Sequence, residues 1–597
     1  MFKIGVSSGI FAAIPEQERA QYASLAKKAE YSITKGVQFV QIDLESVSEF
    51  KSPNLKDEIE RVKKLGIEFG IHSETKAFGV EVAELDSAIE TDYKFGHERL
   101  RDILENAGNI ESKYVLIHSS ESEPFLLLER HMQPTSLVDF FGNTLREFLE
   151  KNSFLIEWLI GGKEEEVSNR IFDEWIKKEK AITAADIGKA VGSQEYLWRE
   201  LIGYSFGEIM RMEIERIRGN TEVNARTKFE DFSDKDKKLL HDLIKTSIPV
   251  ELRSWLSRFL ETIQSRSLHY GPERVAYYFT AKWMEHNNDP LWSSIVNASI
   301  RYFASVEGKT ADDWLKEKGI KEKSIDDENF RRLYMIWVPA ISAKYIWGHL
   351  NQDKNPIQGK YPDLKPTIKK YKMPLVLETP MAHRGIEEWL RFPNPLQMYY
   401  LAKQVNDEAG FECIILAMDF EHMISIKLEP EKVIENLPED GGDFVRVLHV
   451  GYPAPLAPAH IPIPFGSEQQ FYLYKMMYLL KRKGFGNDKN DFFIVFERGG
   501  GVDPVQQSII ALRVIVDFLK KDVKPEEIQE HPEKYKEFWG IDITQIGAIE
   551  RQRVNIREHA YDPLKGLMAV PEEEHGFLGK SAVEKGKGEE WRKEKYR

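Results

Sequence analysis

The chain has 597 residues, of which 42% are hydrophobic and 30% are charged, and its formal net charge is −14. This length and apolar content suit a folded protein with more than one ordinary domain, and the acidic balance argues against a strong, non-specific nucleic-acid binder. A single cysteine, Cys413, excludes an intramolecular disulfide and a cysteine-based zinc cluster.

The sequence shows no pattern of export or membrane insertion. The first residues, MFKIGVSSG, lack the long apolar core of a signal peptide, and no apolar run approaches the roughly 20 residues that cross a bilayer. We therefore predict a cytoplasmic protein with no membrane partner. Lys and Glu dominate the charged residues, which is compatible with a heat-adapted protein.

Short β-rich runs, most of them associated with an amphipathic helical pattern, recur in both halves of the chain. In chain order they lie at 2–7, 39–45, 67–73, 114–120, 374–380, 413–419, 444–451 and 492–498. Nearly continuous apolar runs are typical of parallel strands that helices cover. Eight such units favour a (β/α)8 barrel, or TIM barrel, of the α/β class, with a doubly wound open sheet as the alternative.

The strand pattern lapses between the fourth and fifth runs. This segment shows helical spacing of bulky residues and holds nine of the twelve tryptophans. We predict that a large all-α insertion domain interrupts the barrel after its fourth strand, with these aromatic side chains in its core. The predicted parts are the first half of the barrel at 1–123, the insertion at 124–370, the second half at 371–525 and a partly disordered C-terminal extension at 526–597.

Side chains that bind divalent metals stand where six of the predicted strands end. They are His72, His118, Glu378, Asp419, His449 and Glu497, and His422 follows shortly after Asp419. Because the active site of a (β/α)8 barrel lies at the carboxyl ends of its strands, we expect these side chains to converge. Imidazoles and carboxylates crowded at one mouth would repel or desolvate one another without a cation between them. The sequence therefore predicts a divalent-metal site.

A glycine-rich loop follows the last predicted strand. It reads RGGGVDP, at 498–504, and it precedes a helix. The backbone amides of Gly499 and Gly500 are candidates to hold a phosphate, and Arg384 and Arg498 are candidate phosphate contacts on the same rim. The alternative is that the loop is only a tight turn between strand and helix.

Several of these segments resemble the endonuclease IV branch of the xylose-isomerase-like TIM barrels. The segment HERLRDILENAGNIESKYVLIHSS resembles the helix and strand that lead to a strand-terminal histidine in that family, and PLVLETP, AMDFEHM and LHV resemble other strand ends. The resemblance covers about 1–123 and 370–520, without the insertion and the tail. It implies a site of up to three divalent ions, with Zn²⁺ as the expected metal and Mn²⁺ or Mg²⁺ as alternatives.

The resemblance also implies which residues bind each ion. The ligands of the first two ions would be His72, His118, Glu378, Asp419, His449 and Glu497. Glu378 would bridge the two ions, and His422 would serve a third. The family gives this third ion an Asp-x-His pair in the loop after the seventh strand. Here His460 stands for the histidine, but Pro458 occupies the carboxylate position.

Three functional hypotheses follow. The first is an endonuclease IV-like hydrolase of phosphoester bonds, in which two ions activate a water that Glu378 or Glu497 orients; the resemblance suggests abasic DNA as the substrate and DNA repair as the context. The second is a sugar or sugar-phosphate isomerase or epimerase on the same barrel, with one ion and the same two carboxylates as a proton shuttle. The third is a metal-stapled interaction protein. Whether the insertion covers the mouth, clamps a substrate or mediates dimerisation stays open.

Overall fold

The computed structural model describes most of the chain outside one long internal segment and the C-terminal tail. The described residues are 1–8, 24–34, 36–44, 47–73, 83–120, 123–124, 137–152, 154–155, 158, 274–357, 359–380, 388–454, 457–497 and 505–540. The chain forms two compact units, of which the first comprises Met1–Pro462 with Leu479–Gln506 and the second comprises Ile463–Tyr478 with Gln507–Arg597. Among the described helices, none is both long and apolar enough to cross a membrane.

Eight strands form one closed barrel in which every strand is parallel to its neighbours. They are β1 (Phe2–Ser7), β2 (Phe39–Asp43), β3 (Glu68–His72), β4 (Val115–His118), β5 (Leu375–Glu378), β6 (Ile414–Asp419), β7 (Val445–Val450) and β8 (Phe492–Phe496). Their order around the barrel follows the chain, and β1 pairs with both β2 and β8. This closure confirms the predicted (β/α)8 fold and shows that the doubly wound alternative is wrong.

Helices surround or connect these strands. In the described residues they are α1 (Leu25–Thr34), α2 (Leu55–Lys64), α3 (Glu90–Asn109), α4 (Leu145–Lys151), α5 (Arg274–His286), α6 (Pro290–Val306), α7 (Ala311–Glu317), α8 (Glu328–Arg332), α9 (Tyr334–Leu350), α10 (Lys365–Tyr371), α11 (Pro395–Ala409), α12 (Phe420–Ser425), α13 (Pro430–Asn436), α14 (Gly441–Phe444), α15 (Glu468–Arg482), α16 (Val505–Lys521), α17 (Pro525–Glu530) and α18 (Lys536–Trp539). Short 3-10 helices lie at Val47–Lys51 and Gln352–Lys354.

Helix α3 begins at Glu90, before the segment HERLRDILENAG that resembles a helix of the family. Gly96 lies in its first half and weakens the helical pattern, because glycine is a poor helix former. The glycine is required by packing, since a Cβ at this position would lie 2.6 Å from the carbonyl oxygen of Glu84. The close approach of α3 to the loop after β3 therefore outweighs the local propensity.

The described residues between β4 and β5 are mainly helical. A two-residue strand, Glu123–Pro124, departs from the all-α expectation and pairs with Glu388–Trp389. Helix α6 of this region packs against α11, the helix after β5: Gln397 Nε2 donates to Ser299 Oγ at 2.7 Å. Residues 159–273 lie outside the described residues, so the full extent of the insertion and the predicted domain boundaries stay predictions.

A buried ion pair links the loops after β3 and β5 to two helices of the inserted region. Arg391 NH2 donates to Asp86 Oδ1 at 2.9 Å, and both side chains are fully buried. Ser342 of α9 donates to the other oxygen of Asp86 at 2.5 Å, and Tyr277 of α5 donates to its main-chain carbonyl at 2.7 Å. Removing one member of a buried, hydrogen-bonded pair costs several kcal/mol, so these contacts hold the two mouth loops in place.

An apolar cluster fills the barrel interior, and polar side chains lie between it and the mouth. The cluster consists of Phe39, Tyr114, Leu116, Val376, Ile415, Ala417, Val447, Phe493 and Val495. Gly70 of β3 makes room for the ring of Tyr114, because a Cβ there would lie 2.3 Å from its Cζ. The ring thereby reaches across the interior, and its hydroxyl donates to Gln41 Oε1 at 2.9 Å.

Candidate metal centre

The predicted metal-binding side chains at the ends of β3 to β8 lie together at the barrel mouth. Four of these six strand-end side chains are buried almost completely: His72 is 4% exposed, Asp419 is 1% exposed, and Glu378 and His449 are 0% exposed. His118 and Glu497 are partly accessible, with side-chain exposures of 13% and 15%. The parallel register explains the convergence, because it sets His118 beside Glu378 and Asp419 beside His449.

One group of candidate ligands is formed by two histidines and one glutamate. Nε2 of His72 lies 3.2 Å from Glu378 Oε2, and Nε2 of His118 lies 3.6 Å from the same oxygen. Nδ1 of His72 lies 2.7 Å from the main-chain oxygen of Ser73, so Nδ1–H donates there and Nε2 is the nitrogen that faces the carboxylate. One ligand atom from each of the three side chains lies within 4.8 Å of the others.

A second group shares Glu378 with the first. Ligand atoms of Glu378, Asp419, His422 and Glu497 all lie within 4.8 Å of one another. His449 belongs to the same cluster: its Nδ1 lies 2.8 Å from Glu497 Oε2 and 3.9 Å from Asp419 Oδ2, and it contacts Glu378 Oε1. Glu378 therefore presents Oε2 to one group and Oε1 to the other.

The segment after β6 places His422 by a local mechanism. Asp419 is the N-cap of α12, and its Oδ1 accepts a hydrogen bond from the backbone N–H of His422 at 2.9 Å. Asp419 Oδ2 remains directed at the cluster, 3.7 Å from His422 Nε2. Nδ1 of His422 lies 2.8 Å from the carbonyl oxygen of Thr379, which accepts its proton. The structure thus sets His422 among the ligands of the second group, whereas the resemblance implied a third ion for it.

The imidazoles and carboxylates of the cluster shift one another's pKa values. Burial alone would raise the pKa of Glu378, but the imidazole of His449, followed by those of His72 and His422, holds it well below its usual range. Burial alone would lower the pKa of His449, but Glu378 and Glu497 raise it well above its ordinary value. A proton on His449 is therefore the positive charge that these carboxylates favour when no metal ion competes for the position.

The chemistry of the buried atoms fits a divalent cation. Glu378 Oε1 and Oε2, Asp419 Oδ2 and His449 Nδ1 are buried and make no well-aligned hydrogen bond with the described residues. Leaving such atoms unsatisfied costs free energy that metal coordination would remove. Carboxylate oxygens and imidazole nitrogens are ligands of Zn²⁺ and Mn²⁺, and oxygen-rich sites also suit Mg²⁺.

Strand β2 contributes two residues that the sequence analysis missed. Gln41 is fully buried, and Asp43 lies beside His72 in the barrel register. Burial raises the pKa of Asp43 to about 6; His72 opposes this shift and Glu497 adds to it. The signal was present, since Asp43 ends an apolar run as the other ligands do. The predicted run extended to 45, two residues beyond the observed strand end.

The side chains of the remaining predicted site residues lie outside the described part of the structure. Arg384, Arg498, Gly499 and Gly500 lie outside the described residues. Pro458 and His460 lie on the strand Ala457–Ile461, which pairs with Tyr452–Ala454 in a hairpin, and their side chains are not among those described. The phosphate contacts and the third ion therefore stay predictions.

Comparison with known proteins yields structural similarity alone. No protein-family model and no curated protein sequence matches this chain. A D-tagatose 3-epimerase-like protein is similar at 11% identity, over 87% of this chain and 100% of that chain, with a TM-score of 0.36. An L-ribulose 3-epimerase is similar at 10% identity, over 87% and 96%, with a TM-score of 0.34.

A third solved structure, the apo form of 3-keto-D-glucoside 4-epimerase from E. coli, is similar at 9% identity, over 87% of this chain and 100% of that chain, with a TM-score of 0.33. The fold of the present chain rests on its own strand topology. That topology and this chain's own cluster of imidazoles and carboxylates define a (β/α)8 barrel with a candidate metal centre at its mouth.

Proposed function

We propose that the protein is a divalent-metal-dependent isomerase or epimerase that acts on a sugar or sugar phosphate. The observation that carries the proposal is that Glu378 and Glu497 contact one imidazole nitrogen, Nδ1 of His449. This nitrogen and the two carboxylates, together with Asp419, surround a position for one cation. A substrate bound to that cation would have a carboxylate on either side.

The residues of the cluster supply the proton transfers that such a reaction needs. A bound divalent ion would polarise the carbonyl and the neighbouring hydroxyl of the substrate. One of the two carboxylates, Glu378 or Glu497, then removes the proton from the carbon beside the carbonyl, and the electron pair moves to the carbonyl oxygen to form an enediolate. Return of a proton to the opposite face of that carbon inverts it. Return to the former carbonyl carbon, with the hydroxyl proton passing to the former carbonyl oxygen, isomerises the substrate.

The depth of the site supports a small substrate. The side chains at the centre of the cluster, Glu378 and His449, are fully buried, so the reacting atoms of a substrate must enter the barrel mouth. A compact polyhydroxylated carbonyl compound can enter in this way, whereas a polymer such as duplex DNA would have to be distorted. The net charge of −14 also disfavours the phosphate-rich surface of duplex DNA.

Isotope exchange tests the proposal directly. The protein, loaded with Mn²⁺ or Zn²⁺, is incubated in D₂O with a panel of aldoses, ketoses and their phosphates. We expect deuterium to enter at the carbon beside the carbonyl, as detected by NMR. The variant Glu497→Gln should lose this exchange because its amide cannot accept the proton, whereas Glu439→Gln, at a side chain that is 87% exposed, should retain it. Absence of exchange across the panel, with metal-loaded and folded protein, would contradict the proposal.

The divided contacts of Glu378 favour a second candidate, a two-metal phosphoester hydrolase. Its Oε2 faces His72 and His118, while its Oε1 faces His422 at 3.7 Å and contacts His449. A carboxylate with this arrangement can bridge two ions about 3.5–4 Å apart, as two-metal hydrolysis requires. Two metal equivalents per chain, together with nicking of a defined abasic duplex, would support this candidate over the isomerase.

A further inference from the structure

Gln41, on β2, lies beneath the candidate metal centre and contacts one of its imidazoles. The side chain is fully buried, and its Oε1 lies 2.8 Å from Nε2 of His449. The same oxygen accepts the hydroxyl proton of Tyr114 at 2.9 Å. Burial raises the pKa of this phenol well above its usual value, so the hydroxyl keeps its proton and acts as the donor.

The orientation of the Gln41 amide is set by its neighbours. Its Nε2 faces Asp43 Oδ1 at 3.4 Å, where the amide N–H donates to the carboxylate oxygen. The opposite orientation would set the amide oxygen against that carboxylate and leave the amide nitrogen against His449. Oε1 of Gln41 can only accept a hydrogen bond. The nitrogen that it faces, Nε2 of His449, must therefore carry a proton.

This proton position determines which nitrogen of His449 remains available as a ligand. With a proton held on Nε2, Nδ1 is the nitrogen that can release its proton and bind an ion, and it faces the carboxylates of Glu378 and Glu497. We propose that Gln41 is a positioning residue that holds His449 in the Nε2–H tautomer, so that Nδ1 can bind the divalent ion. The inference rests on the metal site of the proposed function and extends it to a residue that contacts neither ion nor substrate.

His449 differs in this respect from two other histidines of the cluster. His72 and His422 donate their Nδ1 protons to main-chain oxygens, those of Ser73 and Thr379. A main-chain carbonyl is present whatever the side chain, so no single substitution removes those acceptors. The acceptor for His449 is a side chain, and it can be deleted selectively. Partners of this kind around metal-binding histidines change metal affinity about 10–100-fold when they are substituted.

Cobalt binding provides a test that does not require a known substrate. The full-length protein is stripped of metal and titrated with Co²⁺, whose visible spectrum reports the number and type of ligands. We expect Gln41→Met to bind the ion at this position about 10–100-fold more weakly than the wild type, with an altered spectrum. Gln41→Glu, which keeps an acceptor for Nε2–H, should recover most of the affinity. Tyr114→Phe, which removes the other donor to Oε1, is the matched control and should bind nearly as the wild type does.

The possible results separate the inference from the function on which it rests. Unchanged affinity in Gln41→Met, or an equal loss in Gln41→Glu and Tyr114→Phe, would overturn the role of Gln41 and leave the metal site intact. Failure of the wild type to bind Co²⁺ would overturn the proposed function together with the inference. Thermal unfolding of each metal-free variant establishes that it is folded, so that weak binding is not the result of a collapsed barrel.

Discussion

Nε2 of His72 lies 3.2 Å from Oε2 of Glu378, on the opposite side of that carboxylate from the oxygen that contacts His449. A single buried side chain thus joins the imidazoles of two strands that are not neighbours in the barrel. Both imidazoles are attracted to the negative charge of Glu378. Burial disfavours any charge in this region unless an opposite charge compensates it. The metal centre should therefore depend on this residue more than on any other in the cluster.

Substitution of Glu378 by glutamine should abolish tight metal binding. The amide keeps the size of the side chain and one acceptor oxygen, but it removes the charge and the second coordinating oxygen. We expect the affinity for Zn²⁺ or Mn²⁺ to fall by at least about 100-fold, beyond the usual effect of residues that only support a ligand. Calorimetric titration measures this change. Glu439→Gln, on the exposed surface, should not alter the titration, and wild-type affinity in Glu378→Gln would show that the ion binds elsewhere.

The metal content of His118→Ala distinguishes the isomerase from the two-metal hydrolase. His118 contacts Oε2 of Glu378 but is not in the group that contains Asp419 and Glu497. The isomerase needs one ion, in that second group, so we expect the purified wild type and the variant to hold about one equivalent each. Elemental analysis after gel filtration provides the count. Two equivalents in the wild type, falling to one in His118→Ala, would favour the hydrolase instead.

The buried pair of His97 and His349 should make the metal-free protein less stable in mild acid. Nδ1 of each ring lies 3.0 Å from the other, and burial lowers the pKa of His97 from 6.5 to about 4. The unfolded chain takes up a proton as the pH falls below about 6.5, while the folded protein does so only near 4. Stability is therefore present above pH 6.5 and lost as the pH falls through this window, by up to about 3 kcal/mol.

The variant His97→Gln isolates this contribution. Glutamine does not titrate and can still donate to the carbonyl oxygen of Pro362, which Nε2 of His97 contacts at 2.8 Å. The difference in unfolding free energy between wild type and variant, from denaturant titrations at several pH values with chelator present, should shrink as the pH falls from 7 to 4.5. A constant difference for His97→Gln would contradict the assignment.

An alanine at Gly70 should disturb both the barrel and the metal centre. The added Cβ would lie 2.3 Å from Cζ of Tyr114, whose hydroxyl contacts Gln41. We expect a loss of about 1–3 kcal/mol in stability, as is usual for overpacked cores. Metal binding should also weaken, because the added methyl group displaces the whole ring toward Gln41, which removal of the hydroxyl alone does not do. Chemical unfolding and metal titration measure the two effects. The second substitution Tyr114→Leu should restore part of the stability, since it removes the colliding ring; failure of this rescue would point to a different clash.

The sequence alone was sufficient for the barrel and for most of its candidate ligands. Eight apolar runs with associated helical patterns predict a closed parallel sheet, and each run forms a strand of the barrel. His72, Glu378 and Asp419 each end such a run, so their convergence followed from the fold itself. His422 was noted because it follows Asp419 by three residues, and the structure shows that Asp419 caps α12 and thereby places this histidine.

Only the tertiary structure decided how these side chains are oriented. The sequence showed that His449 stands near the end of β7, but its proton position depends on Gln41, which lies 408 residues earlier in the chain. The division of Glu378 between two groups of imidazoles likewise depends on strands that meet only in the closed barrel. Local patterns determine which residue occupies a strand end. Hydrogen-bond partners, burial and charge at that end come from the other strands, and these decide which atom of each side chain is available to a cation.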